Sequence, residues 1–282
     1  MKVKIGLLVV LLGFITLSCN QEDANKQTST IETEDIAVSA SVDAMSDDIS
    51  RIVIEQFGQQ SGNNGRGGDS SQGSLPTCAT VNTVVSSEKW TRTVDFGNEG
   101  CLLPNGNVLK GKIIISGNLE FGQSSYTITC NFDNFHHNGF SVKGTKLITV
   151  SKKPTDLLAE VHPVFDVVID FTVTQTKNGV VRTFKGNRVV ELVEGADTTE
   201  DSSDNVFKVT GSQVMVSPKG TITANVTEPL VLKQNCVHIV KGIIVFTKNI
   251  STASIDYGDG TCDDSAVVII GGFSTTITLG KK

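Results

Sequence analysis

The sequence predicts an all-β body, a large antiparallel sheet or sandwich of many short strands, preceded by one short amphipathic helix. Three observations carry this. From Cys78 onward, stretches rich in Val, Ile, Thr and Phe alternate with turns of Gly, Asn, Asp and Lys. Nothing in 78–282 carries a helical period, and the whole chain holds only 6 Pro. Upstream, Val42, Met45, Ile49, Ile52, Val53 and Phe57 recur at three- and four-residue steps, the spacing of one helix face.

Taken in order, the chain opens with the basic Met1-Lys2-Val3-Lys4 and an apolar run from Ile5 to Leu17. These 13 residues are too few to span a bilayer as a helix, so 1–18 reads as a signal peptide. Ser18-Cys19 closes it and polar residues follow, an arrangement that resembles the lipobox of bacterial lipoproteins. There the Cys becomes the acylated first residue of the mature chain, although Thr16 here replaces the usual aliphatic residue. Residues 19–40 are rich in Glu, Asp, Thr, Ser, Gln and Asn and read as a flexible tether, because they offer little apolar surface to bury. The helix is predicted over 41–57, with Ser41 as its cap and Gly58 as its terminator. Residues 58–75 form a Gly/Ser-rich linker. The β body fills 76–282 with twelve to fourteen strands by the usual spacing, and Thr176-Lys177-Asn178-Gly179 gives its clearest hairpin signal. Pattern alone leaves sandwich and open elongated sheet as alternatives.

Two segments repeat at a constant offset of 161 residues. Val94-Asp95-Phe96-Gly97-Asn98 leads to Cys101, and Ile255-Asp256-Tyr257-Gly258-Asp259 leads to Cys262. Each has a Cys upstream, Cys78 lying 23 residues before Cys101 and Cys236 lying 26 before Cys262. The intervening stretches read as hairpins with tips near Ser87–Trp90 and at Asn249, and a hairpin brings its ends together. The pairs Cys78–Cys101 and Cys236–Cys262 are therefore expected as disulfides, each worth about 3 kcal/mol by loop entropy. Cys130 is left as a free thiol. Asp95-Phe96-Gly97 matches the kinase magnesium triplet in letters alone, and the rest of that signature is missing.

With the lipobox, the acidic tail and these paired segments, the chain resembles lipoproteins of Bacteroidota, flavobacterial in type. Gly111-Lys112-Ile113-Ile114-Ile115, Phe132-Asp133-Asn134-Phe135 and Asn138-Gly139 add to the likeness. The resemblance implies a lipid-anchored envelope protein at the outer membrane and implies no activity. In such bacteria, acidic residues just after the acylated Cys resemble a signal for display on the outer face, and Asn20-Gln21-Glu22-Asp23 stands at that place.

Candidate chemistry is sparse. Asp256, Asp259, Asp263 and Asp264 crowd a Gly-rich turn whose oxygens would suit calcium, but the EF-hand register is absent, so a solvated turn with Asx hydrogen bonds is the preferred reading. Glu194, Asp197, Glu200, Asp201 and Asp204 read as an exposed loop. His136 and His137 are adjacent and would face opposite sides of a strand, while His162 and His238 are isolated, so no metal set is expected. Cys130 reads as a buried strand thiol rather than a nucleophile. Trp90, the only Trp, lies near a hairpin tip and is the one candidate platform for a sugar ring.

The formal charge is −6, and removing Lys2 and Lys4 leaves −6 − 2 = −8 for the mature chain. Such a surface disfavours nucleic acid and anionic lipid as partners. The expected function is non-catalytic, a structural or binding role (adhesive or scaffold) toward a protein or envelope partner, without cofactors. A glycan-binding module is the alternative, and an envelope hydrolase stands third for want of a nucleophile–base motif.

Overall fold

A computed structural model describes residues 30–62, 75–121, 123–198 and 203–279. Cys19 and the signal segment lie outside them. Among the described residues one helix, α1 (Thr33–Gly62), precedes fourteen strands. The first seven are β1 (Thr80–Val85), β2 (Lys89–Asp95), β3 (Cys101–Leu102), β4 (Val108–Asn118), β5 (Ser125–His137), β6 (Phe140–Lys153) and β7 (His162–Gln175). The rest are β8 (Val181–Glu194), β9 (Val206–Ser217), β10 (Gly220–Lys233), β11 (Lys241–Lys248), β12 (Ser251–Asp259), β13 (Ser265–Ile270) and β14 (Phe273–Thr278). All belong to one antiparallel sheet, laid down as a meander in chain order from β1 to β14, with short β3 beside β4. The body is thus an open sheet and not a sandwich. Residues 176–179 turn β7 into β8 as the Asn-Gly signal requires, with the Gly179 N–H donating to the Gln175 carbonyl (2.8 Å).

The helix lies across this sheet, and the register explains how. Arg92, Ile115, Cys130, Lys146, Ile169, Gly186, Gln213, Ala224, Phe246 and Ala253 are successive partners from β2 to β12, so they form one row on one face. All are buried except Gly186, which is half-buried. Eight strand steps separate β2 from β11, about 38 Å at the usual strand spacing. The 30-residue helix is about 45 Å long. One helical turn rises about 5.4 Å against a strand spacing of about 4.8 Å, so each strand meets roughly one turn. Polar links record the crossing in order. Lys248 donates to the Thr30 carbonyl (3.3 Å), Lys219 pairs with Glu32 (2.6 Å), and Gln213 donates to Ser39 (3.1 Å). Arg188 then pairs with Asp43 (3.3 Å), Lys146 donates to Ser46 Oγ (2.8 Å), and Arg92 reaches Gln56 (2.8 Å) and Gln59 (2.9 Å).

The helix is therefore longer than 41–57 at both ends. Residues 33–40 were expected in the tether because they are polar, yet Asp35, Ile36 and Ser39 are buried against the sheet. Ser41 is no cap: its hydroxyl donates back to the Ala37 carbonyl (2.8 Å) inside the helix. Gly58 does not stop it either, since Gln56, Phe57 and Gln59 still have the sheet to pack on and the last turn runs to Gly62.

A helix about 10 Å wide cannot cover strands of twelve to fourteen residues laid flat. The sheet curls over it with the help of glycines and bulges inside the long strands. Gly144 and Gly211 hold φ of +119° and +113°, and register slips occur near Gly111 and in the 226–230 stretch of β10. One continuous core results, joining Val42, Met45, Ile49 and Val53 of the helix to Trp90, Phe135, Phe171, Phe184 and Phe246 of the sheet.

Both expected disulfides are present, with Cα–Cα distances of 5.6 Å for Cys78–Cys101 and 5.5 Å for Cys236–Cys262. They staple the β1–β2 and β11–β12 hairpins at their open ends. The repeated triplets are matching strand exits: Asp95 accepts from the Gly97 N–H (2.8 Å) and Asp256 from the Gly258 N–H (2.9 Å). Phe96 and Tyr257 between them turn into the core.

Candidate functional site

The middle of α1 carries three carboxylates on or beside its apolar face, at Asp43, Asp47 and Asp48. Asp43 and Asp47 are one helical turn apart and look toward Arg188 and Lys146. Asp48 is a hub. Its Oδ1 accepts from Asn105 (2.6 Å), and its Oδ2 from Asn107 (2.7 Å) and His137 Nε2 (2.8 Å). Asn138 ties in by donating to Asn107 (2.9 Å). The hub thereby pins the β3–β4 turn and the end of β5 to the helix.

Beside it lies a chamber of about 560 Å³. Ile52, Leu103, Val190, Phe207, Val209 and Leu232 make an apolar wall, while Asp47, Asp48, Arg51 and Glu55 make the helix side polar. A smaller cavity of about 90 Å³ adjoins it, lined in part by His238 and Tyr257, and the two share Asp47, Asp48, Arg51, Asn105 and Leu232. Asp47 accepts no hydrogen bond among the described residues. It is half-buried and lines both cavities. Burial pushes its carboxyl up to about 7, with Lys146 pulling the other way and the Asp43 charge adding to the rise. Burial likewise pulls the Lys146 ammonium down and pushes Asp43 up, and Arg188 opposes the latter. The result is a partly apolar chamber whose wall holds, near Arg51, a carboxylate that accepts no hydrogen bond among the described residues, an acceptor for a ligand that brings its own positive or donating group.

The sequence-predicted residues fall elsewhere. Trp90 is fully buried: its ring stacks near Phe57 (6.4 Å) and its Nε1–H donates to the Tyr126 hydroxyl (2.7 Å). Trp90 sits at the start of β2 opposite Val85 and Gly117, and that register turns the indole inward, so neither ring face is open to a sugar. The turn acids bond to their own loops. Asp259 accepts from Thr261 (3.0 and 2.8 Å), and Asp263 from Ser265 (2.8 and 2.9 Å). In the other acidic loop Asp204 accepts from Thr198 (2.9 Å), and Glu200 and Asp201 lie outside the described residues. Among the described residues no three metal-binding side chains cluster. His137 faces inward to Asp48 and His136 outward, its Nδ1 beside the Asn134 carbonyl (2.9 Å). Cys130 is a buried free thiol pushed up to about 12 by desolvation, which removes it as a nucleophile.

Two clusters carried no mark in the sequence reading. One is the Asp43–Asp47–Asp48 set, whose signal was available: acids interrupt an otherwise apolar helix period. The other lies on the outer face, where Glu191 accepts from His162 Nε2 (2.9 Å) and from the Thr155 hydroxyl (2.5 Å), fastening the β6–β7 loop. No helix among the described residues is long and apolar enough to cross a membrane. No family model, curated protein or solved structure matches the chain.

Proposed function

We propose that the chain is an exported envelope protein, anchored by lipid at Cys19, that works by binding rather than by catalysis and takes a small amphipathic cation in the chamber. The observation that supports this most is Asp47, a carboxylate without a hydrogen-bond partner among the described residues, set with Asp48, Glu55 and Arg51 on the polar side of a space of about 560 Å³ whose other wall is apolar. An apolar body would cover Val190, Phe207, Val209 and Leu232, and an ammonium group would meet Asp47 and Glu55.

Three fluorescent probes sharing one alkyl body, and ending in an amine, an alcohol or a carboxylate, test the reading. The amine should bind tightest, by roughly tenfold over the alcohol, since a paired buried charge contributes about 1.5–3 kcal/mol. Equal or tighter binding of the carboxylate overturns it. The pH dependence has a definite sign. Below about pH 7 the raised Asp47 carboxyl must release a proton to meet the cation, so amine affinity should climb with pH and level off above that value. Asp47→Asn should flatten the profile and leave alcohol binding unchanged.

The anchor is tested separately. Cys19→Ala should move a folded, oxidised protein from the membrane to the soluble fraction. Retention in the membrane, or an unfolded body, would count against acylation at Cys19.

A further inference from the structure

We infer that β14 is an assembly edge, and that its occupant is β14 of a second copy of this chain, paired about a twofold axis. Open sheets shield their edges with charge, Pro or bulges, because unpaired N–H and C=O groups recruit other strands. Phe273-Ser274-Thr275-Thr276-Ile277-Thr278 has none of these, and every residue but half-buried Ile277 is exposed, Phe273 by 82%. The opposite edge, β1, is also uncharged but alternates exposed and half-buried positions.

Topology decides the partner. Thirteen strands lie on the path from β1 to β14, an odd number, so the two edge strands of an antiparallel meander run the same way. A copy related by simple translation would therefore bring β14 and β1 together in parallel. Among copies that keep the helix-bearing face on the same side, only one turned about the sheet normal continues the antiparallel pattern, and it presents its own β14.

The register follows from the hairpin. Gly271-Gly272 is a two-residue turn flanked by the pair Ile270–Phe273, so that pair bonds inward to β13, as do Thr275 and Ile277. Ser274, Thr276 and Thr278 are left with backbone groups directed outward. A twofold pairing that bonds Ser274 to Thr276 of the second copy places Thr275 on the axis, opposite itself. The same register sets Phe273 against Ile277 of the second copy, twice, on the concave side of the sheet. It thus covers the most exposed aromatic of the edge with the other apolar residue of the strand, and it brings no like charges together.

Full-length chains in mild detergent test this. Thr275→Cys should give a covalent dimer on mild oxidation, because facing Cα atoms of a non-hydrogen-bonded pair stand about 4.5 Å apart, within disulfide reach. Cys130 is buried and does not compete. The wild type should sediment as a dimer. Thr276→Pro removes an outward N–H and leaves the β13 pairing intact, and Thr275→Lys sets two ammonium groups face to face. Each should weaken the dimer by roughly tenfold or more while the thermal transition is kept. A monomeric wild type overturns the inference, as does a dimer that survives both substitutions. So does Thr275→Cys crosslinking no better than Thr83→Cys on the β1 edge.

Discussion

Asp48→Ala should destabilise the fold by about 3–5 kcal/mol, read as a shift in the midpoint of denaturant unfolding. The carboxylate is the common acceptor of Asn105, Asn107 and His137, all within 2.8 Å. Its removal leaves three donors without an acceptor in a buried place, and the cost of such orphans exceeds the modest net gain of any one bond. Asp48→Asn should fall between wild type and Ala, because one oxygen remains to accept. A double cycle with His137→Ala should show strong coupling, since each side chain then lacks the other already. The Asn105 side of the hub also lines the chamber together with Leu103 and Pro104. Probe binding should accordingly weaken in any Asp48 variant that still folds. An Asp48→Ala protein as stable as wild type would show that the hub is not what holds the β3–β4 turn to the helix.

Gly144→Ala should cost about as much, roughly 3–5 kcal/mol, although it adds a single methyl group. The site has φ +119°, a conformation closed to side chains, and an added Cβ would stand 2.0 Å from the Asp170 carbonyl oxygen of the next strand. That neighbour is backbone held in a ladder on both sides, so it cannot yield without breaking pairing between β6 and β7. Gly97→Ala is the control. Its φ is also positive, +70°, but nothing lies within 4 Å of the added carbon, and the penalty should stay near 1 kcal/mol. Equal losses at the two positions would mean that backbone conformation alone, and not the packed crossing, sets the cost.

Much of the body was legible in the sequence because its signals are local. Asn178-Gly179 fixed a hairpin, and the paired Cys segments selected two staples from fifteen ways of making two bonds among five cysteines. What escaped was whatever depends on partners distant in the chain. Residues 33–40 look too polar to order themselves; Arg182 and Lys219, which both pair with Glu34, and Gln213, which bonds Ser39, supply the missing partners. Gly186 and Asn187 look like a turn within the β-rich stretch, yet β8 runs through them, because Gly186 lets Gln213 of the neighbour approach, which only the register reveals. Trp90 was misplaced for the same reason: nearness to a hairpin tip says nothing about which face a residue takes. The chamber is the extreme case. Its walls come from the helix, the β3–β4 turn and three strands that lie beyond residue 180, and no window of sequence contains them together.

The manner in which α1 is enclosed also constrains the order of folding. The helix is made first, yet its charges, six carboxylates against one Arg, are balanced by residues as late as Lys219, which pairs with Glu34 across 185 positions of the chain. A chain emerging from its N-terminus therefore holds its helix without a lining until nearly the whole meander exists. Short-range pairing of neighbouring hairpins can proceed meanwhile, but the step that joins sheet to helix has a very long loop to close and must come late. The long helix and the strands that line it are thus expected to join late, after the hairpins have formed.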